Sequence, residues 1–542
     1  MGRLALRLGA VTLLVLGGAA SSLLAARAGG APSATTAAAT TSSAPTVLAV
    51  SGHGWGHGLG MSQWGAYGYA RHGWSYDRIL AHYYPGTALD AARVSTLRVL
   101  LLQAPSAVVS SAVPWTVIDA AGARAKFPPG SFTLRPKLAL PNRKLVAPLT
   151  FAAAQPIEVG GRPYRGRIVV SAAGNRVQVV DAVALEAYVK GVVAAEMPPT
   201  WPAQALEAQA VATRSYALAN LTAGRGFDLY ADTRSQVYGG VAAETAASNA
   251  AVDATKGQIV TYGGKVADTL FFSSSGGRTG SALEELGTSV PYLVPVADPY
   301  DAASPYHDWG PVLFDAAAVA KRLKLSAPLA DVQVDTGSTG RARDVTLVAA
   351  DGSQRVLAGA QFRVALGLRS TWIEPTVLQL QAAARTMTFG GAASLAGFAR
   401  GPAAAVSLEA RTATQDWTPA GALVLQANGT FTTIVKPAVT TWYRLAFGSA
   451  RAGLARVAVA PRVAAVVSPT GAVGSIRPVV AGAPVQLQRQ TASGSWTSVA
   501  TGATAADGTY AVAQALQAGS YRVRCAPGHG LAPGFSPAAT VS

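Results

Sequence analysis

The stretch LEAYVKGVVAAEMPPTWPAQALEAQAVATRSY, from Leu185 to Tyr216, decides how the rest of the chain is interpreted. Apolar residues at helical spacing predict a helix that begins at Leu185 and carries Glu196 at its end. The Pro-Pro pair at 198–199 cannot continue that helix, because proline lacks an N–H and disfavours α geometry in the residue before it. A second helix is predicted to begin near Thr200. A carboxylate in the corner between two helices is a candidate acid or base.

Length and charge bound the class of protein. A chain of 542 residues is too long for one core and predicts three or four domains. Its net charge of +17 favours association with polyanions, of which nucleic acid, anionic lipid surfaces and anionic wall polymers all qualify. The single cysteine, Cys525, cannot form an internal disulfide, which for an exported chain indicates a bacterial context.

The N-terminus is typical of an exported protein. Arg3 and Arg7 precede an apolar run over residues 8–24, and Ala-Arg-Ala at 26–28 offers a cleavage site. We therefore expect a signal peptide over 1–28 and a secreted, cell-wall location. An uncleaved membrane anchor is the competing interpretation, because the apolar run approaches the length of a short span. Residues 29–46 are rich in Ala, Ser, Thr and Pro and predict a disordered linker.

A glycine-rich block follows the linker. Residues 47–50 predict a strand, and glycine then occupies every second position from 52 to 60. Those positions lack side chains, so we expect another part of the molecule to approach this backbone closely. Helices are predicted after Met61 and from Ser75.

The middle of the chain alternates between strand and helix signals. Short β-type runs from 93 to 181 predict a β-rich lobe, and a helix is predicted over 243–255. The strand that follows Val266 enters a loop with three serines, 273–275, and two glycines, whose hydroxyls and N–H groups could bind sugar hydroxyls or an anion.

The last third of the chain repeats itself. Residues from Val406 align with those from Val485 as a strand, a Trp, a turn, Gly-Thr-aromatic and then aromatic-Arg. Each unit of about 80 residues fits a small immunoglobulin-like β-sandwich. We predict the two sandwiches over 376–461 and 462–542.

Three motifs together resemble one family. LEAYVKGVVAAEMPPTWPAQALEAQAVATRSYAL, FFSSSGGRT and GHGWGHGLGMSQWGA look like the stage II sporulation protein D family, also called SpoIID/LytB, over about 47–372. The resemblance implies an α+β catalytic domain over 47–375, with a helical core and a β-rich lobe. It also implies a peptidoglycan-lytic transglycosylase, or a non-catalytic enhancer of a cell-wall amidase.

The resemblance assigns the catalytic acid to the Glu of the Glu-Met-Pro motif, which here is Glu196. A lytic transglycosylase needs one acid/base, because the C6 hydroxyl of the sugar, not water, attacks the anomeric carbon. Glu186 and Glu207 are the nearest alternatives in sequence.

The chain departs from the family pattern in two ways. The glycine block usually follows the segment at FRVALGLRST, whereas here it comes first, as in a circular permutation. We therefore expect residues 47–51 to lie beside the strands near Trp372. Some members carry a zinc site built with cysteines, but Ser235 stands at that position, so we expect no metal and no cofactor.

Candidate substrate-binding residues come from the same three motifs, each with a structural alternative. His57 could contact glycan or orient Glu196, or it could instead pin its own loop or act as a metal ligand. Ser62 could touch substrate or cap a helix, and Arg214 could hold substrate or form an ion pair within the domain. The full set is His57, Ser62, Gln63, Gln209, Arg214, Ser273, Ser274 and Ser275. The expected partners are peptidoglycan strands, anionic wall polymers and, in the alternative function, an amidase. Nucleic acid is disfavoured by the export signal.

Overall fold

The computed structural model describes residues 45–140, 144–222, 224, 226–401 and 405–542. The predicted signal peptide and all but the last two residues of the predicted linker lie outside these ranges. Within them, no helix is long and apolar enough to cross a membrane.

Eight α-helices are found in the described part of the chain, and the corner after Ala195 forms as predicted. The first helix of the corner ends at Glu196, whereas the second begins at Ala203 because Trp201 lies in a turn closed by its N–H to the carbonyl of Pro198, at 3.1 Å. The helices are α1 Gln63–Arg71, α2 Tyr76–Tyr83, α3 Leu185–Glu196, α4 Ala203–Ala219, α5 Ala246–Ala254, α6 Ala282–Leu286, α7 Ala316–Arg322 and α8 Gly359–Leu366, with 3₁₀ turns at Gly240–Ala243 and Pro299–Ala303.

The strands of the first two thirds include the predicted β-rich lobe. They are β1 Thr46–His53, β2 Met61–Ser62, β3 Ala88–Ala91, β4 Thr96–Ala104, β5 Ala107–Ser111, β6 Trp115–Ile118, β7 Arg124–Phe127, β8 Gly130–Leu134, β9 Leu149–Ala153, β10 Ile157–Val159, β11 Arg162–Tyr164, β12 Arg167–Ala173, β13 Arg176–Ala184, β14 Leu229–Tyr230, β15 Gln258–Tyr262, β16 Lys265–Val266, β17 Phe271–Phe272 and β18 Asp308–Asp315.

The remaining strands form a small sheet and the two sandwiches. They are β19 Leu329–Thr336, β20 Ala342–Ala349, β21 Gln354–Ala358, β22 Ile373–Ala382, β23 Thr386–Thr388, β24 Ala393–Arg400, β25 Val406–Arg411, β26 Thr418–Ala422, β27 Thr430–Val435, β28 Thr441–Phe447, β29 Ala450–Ala460, β30 Arg462–Ser468, β31 Gly471–Arg477, β32 Pro484–Gln490, β33 Trp496–Ala503, β34 Thr509–Ala513, β35 Gly519–Cys525, β36 Gly534–Phe535 and β37 Ala539–Val541.

The β-rich lobe and the central helices share one core. A seven-stranded sheet, ordered β14-β4-β13-β12-β9-β6-β7, packs beside a four-stranded sheet, ordered β11-β10-β5-β8. Residues such as Val179 on β13, Val189 on α3 and Val211 on α4 are fully buried in the same apolar cluster. The mixed α and β character predicted from the sequence is therefore present.

The first strand of the described chain lies where a circular permutation requires it. β1 pairs antiparallel with β22, with Val50 opposite Pro375 and Gly52 opposite Ile373. The N–H of His53 donates to the carbonyl of Trp372 at 3.0 Å. The prediction that residues 47–51 lie beside the strands near Trp372 is confirmed.

The glycine block packs against the serine loop. Gly60 has φ +73°, and a Cβ placed on it would lie 2.0 Å from the carbonyl oxygen of Leu270. A Cβ on Gly58 would lie 2.7 Å from the guanidinium carbon of Arg341, which is itself buried. The expected close approach is confirmed, and the partners are the segment before the serines and one buried arginine.

Each C-terminal unit consists of two packed sheets, but the first is not set off by a linker. Its sheets are β18-β1-β22-β24-β27 and β23-β29-β28-β25-β26, so β1 and β18 of the preceding domain extend it. The boundary predicted at residue 375 therefore falls inside β22. The second unit pairs β30-β31-β34 with β33-β32-β35-β36, and its core is separate.

The glycine block generates a prediction about stability. Gly60→Ala forces a Cβ into the Leu270 carbonyl at a left-handed φ, so we expect the free energy of unfolding to fall by more than about 2 kcal/mol. Gly73 has φ +79° with nothing within 4 Å of its missing Cβ, so Gly73→Ala should cost only the backbone strain, about 1–2 kcal/mol. Calorimetric melting of both variants compares them, and equal destabilisation would contradict the close packing.

Candidate functional site

Glu196 is the last residue of α3, and its side chain is partly exposed. The helix stops there because Met197 is extended, with φ −128° and ψ 141°, and two prolines follow. The carboxylate therefore projects from a rigid helix end beside the turn that leads into α4.

The surroundings of Glu196 favour its protonated form. Burial raises the pKa of its carboxyl to about 7, while hydrogen bonds from the Val237 backbone and the Gln63 side chain lower it in part. A carboxyl with this pKa is about half protonated at neutral pH and can both donate and accept a proton. This property belongs to a general acid/base.

Hydrogen bonds of Gln63 connect α1 to the end of α3 and to α4. Gln63 is the first residue of α1, and its Nε2 donates to the main-chain oxygen of Glu196 at 3.2 Å and to Oε1 of Gln209 at 3.4 Å. Gln209 in turn donates to Thr213 Oγ1 at 3.1 Å on α4. Gln209 is fully buried, so it positions Gln63 and has no exposed surface for a sugar.

An aromatic cluster that the sequence analysis did not single out lies beside Gln63 in the chain. The rings of Trp64 and Trp201 have centroids 4.8 Å apart, and those of Tyr67 and Trp201 are 4.9 Å apart. All three side chains are partly exposed. Trp201 follows the proline pair and Trp64 follows Gln63, so proximity to the motif was the signal available in the sequence.

Tyr216 also lies near Glu196. Burial raises the pKa of its phenol to about 12, with smaller contributions from the negative charges of Asp268 and Glu196. The phenol therefore stays neutral and partly exposed, as a hydrogen-bond donor close to the carboxyl.

The serine loop is organised around a carboxylate that the sequence did not reveal. Asp301 is fully buried and accepts hydrogen bonds from the hydroxyls of Ser62 and Ser274, both at 2.9 Å. The backbone N–H groups of Ser275 and Gly276 donate to it at 2.9 Å each. Asp301 therefore joins the glycine block to the serine loop.

These contacts correct three predicted sugar contacts. Ser62, Ser274 and Ser275 are at most 1% exposed, and their hydroxyls are engaged inside the protein. Ser62 caps α1 by accepting the N–H of Gly65, which is the alternative the sequence left open. Ser273 alone among the loop serines is partly exposed, and its carbonyl accepts the N–H of Trp64 at 2.9 Å.

His57 has a structural role in this fold. Its Nε2 must donate to the carbonyl of Phe271 at 3.1 Å, and its Nδ1 must accept the N–H of Leu59 at 3.1 Å. Burial, with the nearby charge of Arg363, lowers the pKa of the ring to about 4, so it is neutral at physiological pH. Both ring nitrogens hold backbone groups, so the predicted contact of His57 with glycan is replaced by its alternative of pinning the loop.

Arg214 and Glu186 form a buried ion pair. Arg214 is fully buried, and its guanidinium donates to both carboxylate oxygens of Glu186, at 3.1 and 2.7 Å. A further bond runs from Arg214 to the carbonyl of Gln258 at 2.8 Å. Arg214 therefore forms an ion pair within the domain, which is the alternative that the sequence left open, and Glu186 is its partner.

Glu207, the other alternative acid, is also engaged. Its carboxylate accepts the side-chain amide of Gln204 at 2.9 Å, one turn earlier on α4. Three carboxylates were candidates from the sequence. Among the described residues, Glu196 is the one that has neither a cationic partner nor a side-chain hydrogen bond from its own helix.

Comparison with known proteins agrees with the motifs. Residues 173–262 match the family model SpoIID, described as stage II sporulation protein. Stage II sporulation protein D of Bacillus subtilis is 33% identical over 216 residues, covering 36% of this chain and 62% of that protein. A Bacillus subtilis protein named amidase enhancer is 36% identical over 139 residues, covering 26% of this chain and 19% of its own.

Similarity extends beyond the named relatives. An uncharacterized protein of Brachyspira hyodysenteriae is 38% identical over 148 residues, which is 27% of this chain and 40% of that protein. The matches thus span less than two thirds of each of these relatives. A two-domain fibronectin type-III segment from chicken tenascin aligns with 30% of this chain at 13% identity, with a TM-score of 0.19.

The ion pair generates a prediction that separates structure from substrate binding. Arg214→Gln leaves Glu186 unpaired, so we expect a loss of about 3–5 kcal/mol in the free energy of unfolding. Lys190→Gln, which breaks the more exposed pair between Lys190 on α3 and Asp253 on α5, should cost less than about 1 kcal/mol. Denaturant unfolding compares the two. An Arg214→Gln variant that keeps its stability but loses glycan binding would restore the substrate role.

Proposed function

Because this chain carries a domain of the stage II sporulation protein D family, we propose that it is a secreted cell-wall enzyme that cleaves peptidoglycan glycan strands by lytic transglycosylation. The proposal rests on the environment of the Glu196 carboxyl. It is a partly exposed carboxyl with a pKa of about 7, at a fixed helix end, without a cationic partner among the described residues.

One carboxyl suffices for both halves of this reaction. Glu196 first donates its proton to the glycosidic oxygen, and the bond from that oxygen to the anomeric carbon breaks. The Glu196 carboxylate then accepts the proton of the C6 hydroxyl of the same sugar, whose oxygen bonds to the anomeric carbon. The products are a free hydroxyl on one strand and a 1,6-anhydro end on the other, no water is consumed, and Glu196 is again protonated.

The neighbours of Glu196 have supporting roles in the proposal. Gln63 is buried and holds the main chain at Glu196. Ser273 and the ring cluster of Trp64 and Trp201 are partly exposed, so a sugar could contact them. Aromatic side chains with one wet edge suit a ligand that has both apolar and hydroxyl faces. The net charge of +17 would favour retention near anionic wall polymers.

A second candidate function is a non-catalytic enhancer of a cell-wall amidase. The relative that bears the name amidase enhancer supports this alternative. In that case the fold and the binding surfaces would serve an amidase, and the protonation state of Glu196 would be irrelevant. Adding wild type or Glu196→Gln to a purified amidase tests it, because equal stimulation by both, without anhydro products, favours the enhancer.

The enzyme proposal predicts the effect of one isosteric substitution. Glu196→Gln keeps the shape of the side chain but removes the transferable proton, so we expect turnover to fall by about 10²- to 10⁴-fold. Glu207→Gln, a carboxylate on α4, is the matched control and should retain activity. The measurement is mass spectrometry of anhydro-muramyl products released from purified peptidoglycan. If wild type releases none, the enzyme proposal fails.

The raised pKa predicts the pH dependence of turnover. Glu196 must be protonated to act first as an acid, so the rate should be maximal below pH 7 and fall about tenfold per pH unit well above it. A decline that begins near pH 4.5, the ordinary value for Glu, would contradict the assignment.

The folded fraction must be followed at each pH in that experiment. Burial also raises the pKa of Asp181 and Asp298 to about 7. A raised carboxyl pKa means that the folded chain binds the proton more tightly than the unfolded chain, so this stabilisation is present at low pH and is lost as pH rises through about 7. Circular dichroism distinguishes unfolding from loss of the catalytic proton.

A further inference from the structure

The outer face of the first sandwich carries a row of alternating arginine and tryptophan side chains. Arg411 on β25, Trp442 on β28 and Arg456 on β29 lie directly opposite one another across three neighbouring strands. The guanidinium carbons of Arg411 and Arg456 lie 5.4 and 5.6 Å from the Trp442 ring centroid. The indole therefore stacks with two cations, one on each neighbouring strand.

The row continues along β25 toward the turn before β26. The guanidinium carbon of Arg411 is also 5.2 Å from the Trp417 ring centroid, and that of Arg444 is 4.1 Å from the same centroid. We call the five residues Arg456, Trp442, Arg411, Trp417 and Arg444 the arginine-tryptophan ladder. The alternate residues of these strands, such as Leu408 and Val457, are buried in the sandwich core, so the ladder occupies the outward face.

Two of the three arginines in the ladder have no carboxylate partner among the described residues. Arg444 shares the carboxylate of Glu409 with Arg451, at 2.8 Å each. Within the described ranges, Arg411 and Arg456 have exposed side chains and stack on tryptophan without a hydrogen bond or an ion pair. Each guanidinium has five N–H donors, so most of these donors remain available to a ligand.

The second sandwich repeats part of this arrangement, but a neutral side chain stands opposite its stacked arginine. Arg522 stacks between Trp496 and Phe535, with its guanidinium carbon 4.3 and 4.2 Å from the two ring centroids. Its Nε donates to Gln488 at 2.9 Å, in the register that Glu409 and Arg444 have in the first sandwich. A neutral glutamine therefore replaces the carboxylate, and Arg522 has no carboxylate partner in the part of the chain that the structure describes.

The two sandwiches together also carry a strong excess of positive charge. Residues 376–542 contain twelve Lys and Arg against three Asp and Glu. Stacked pairs at exposed sites contribute little to stability, so stability alone is a weak reason for an excess of cations. Stacking does hold the guanidinium groups in fixed orientations, which lowers the entropic cost of binding a ligand.

We propose that the arginine-tryptophan ladder binds a linear polyanion, whose oxyanions are phosphate diesters or carboxylates, and holds the chain at the layer where its glycan substrate lies. Guanidinium groups match the geometry of both oxyanions through paired N–H donors. The location rests on the proposed function, whereas the binding itself does not. The ladder lies on the first sandwich, away from Glu196 in the chain, so binding and cleavage are separable.

The test compares variants of the full chain for binding to two polymers at about 0.15 M salt. The probes are poly(glycerol phosphate) and polygalacturonate, which separate a phosphate from a carboxylate source. We expect Arg411→Gln/Arg456→Gln to bind at least one polymer about tenfold more weakly than wild type, which is about 1.4 kcal/mol. Arg411→Lys/Arg456→Lys keeps the charge but loses the paired donors, and should be intermediate.

The matched control removes the same charge from elsewhere on the same sandwich. Arg385 and Lys436 are exposed side chains outside the ladder, so Arg385→Gln/Lys436→Gln should bind like wild type. Equal loss in the control and ladder variants would overturn the assignment to this face, as would unchanged binding by the ladder variant.

Failure of the polymer-binding proposal can be distinguished from failure of the proposed glycan cleavage. Cleavage of short soluble glycan fragments depends on Glu196 and should be the same in the ladder variant and in wild type. Glu196→Gln should bind the polymers like wild type. Thermal melting of each variant verifies that the sandwich remains folded, and an unfolded ladder variant is replaced by Arg456→Gln alone, for which a weaker but measurable loss is expected.

Discussion

The contact between the glycine block and the strand before the serine loop is the constraint on which the site depends. Two backbone segments more than 200 residues apart approach so closely that a Cβ on Gly60 would overlap the carbonyl of Leu270. Because the first segment continues directly into α1, this contact delivers Gln63 to the main chain at Glu196. The buried Asp301 secures the same junction by bonding to both segments. The position of Gln63 is thus set by the segment that pairs with β22 and packs against the serine loop.

Helix α3 carries two glutamates with opposite environments. Glu186, in its first turn, is paired with the buried Arg214. Glu196, at its end, loses water without gaining a cation, and burial raises the pKa of its carboxyl to about 7. An ion pair fixes the helix against α4, whereas an unpaired and desolvated carboxyl keeps a transferable proton. One helix thereby carries a buried ion pair in its first turn and an unpaired carboxyl at its end, and the ion pair restricts the position of that end.

The unit that contains Glu196 and the first sandwich share a sheet, so no linker separates them. Strands β1 and β18 of the former complete a sheet of the latter, and Ala49 belongs to the same apolar cluster as Leu378. A shared sheet of this kind restricts how the first sandwich is oriented relative to the unit that contains Glu196. It also places the start of the described chain inside the core, because the first strand is shared by two layers.

The sequence by itself determined the features that depend on local chemistry. The proline pair ended α3 at Glu196, the alternating glycines predicted a close approach, and the internal repeat predicted two sandwiches. Only the tertiary structure decided which polar side chains are free. For Ser62, Ser274, Arg214 and His57 the sequence left both a sugar contact and a structural role open, and each side chain bonds to a partner elsewhere in the chain. Burial and long-range pairing decide this, and local residue patterns do not encode either.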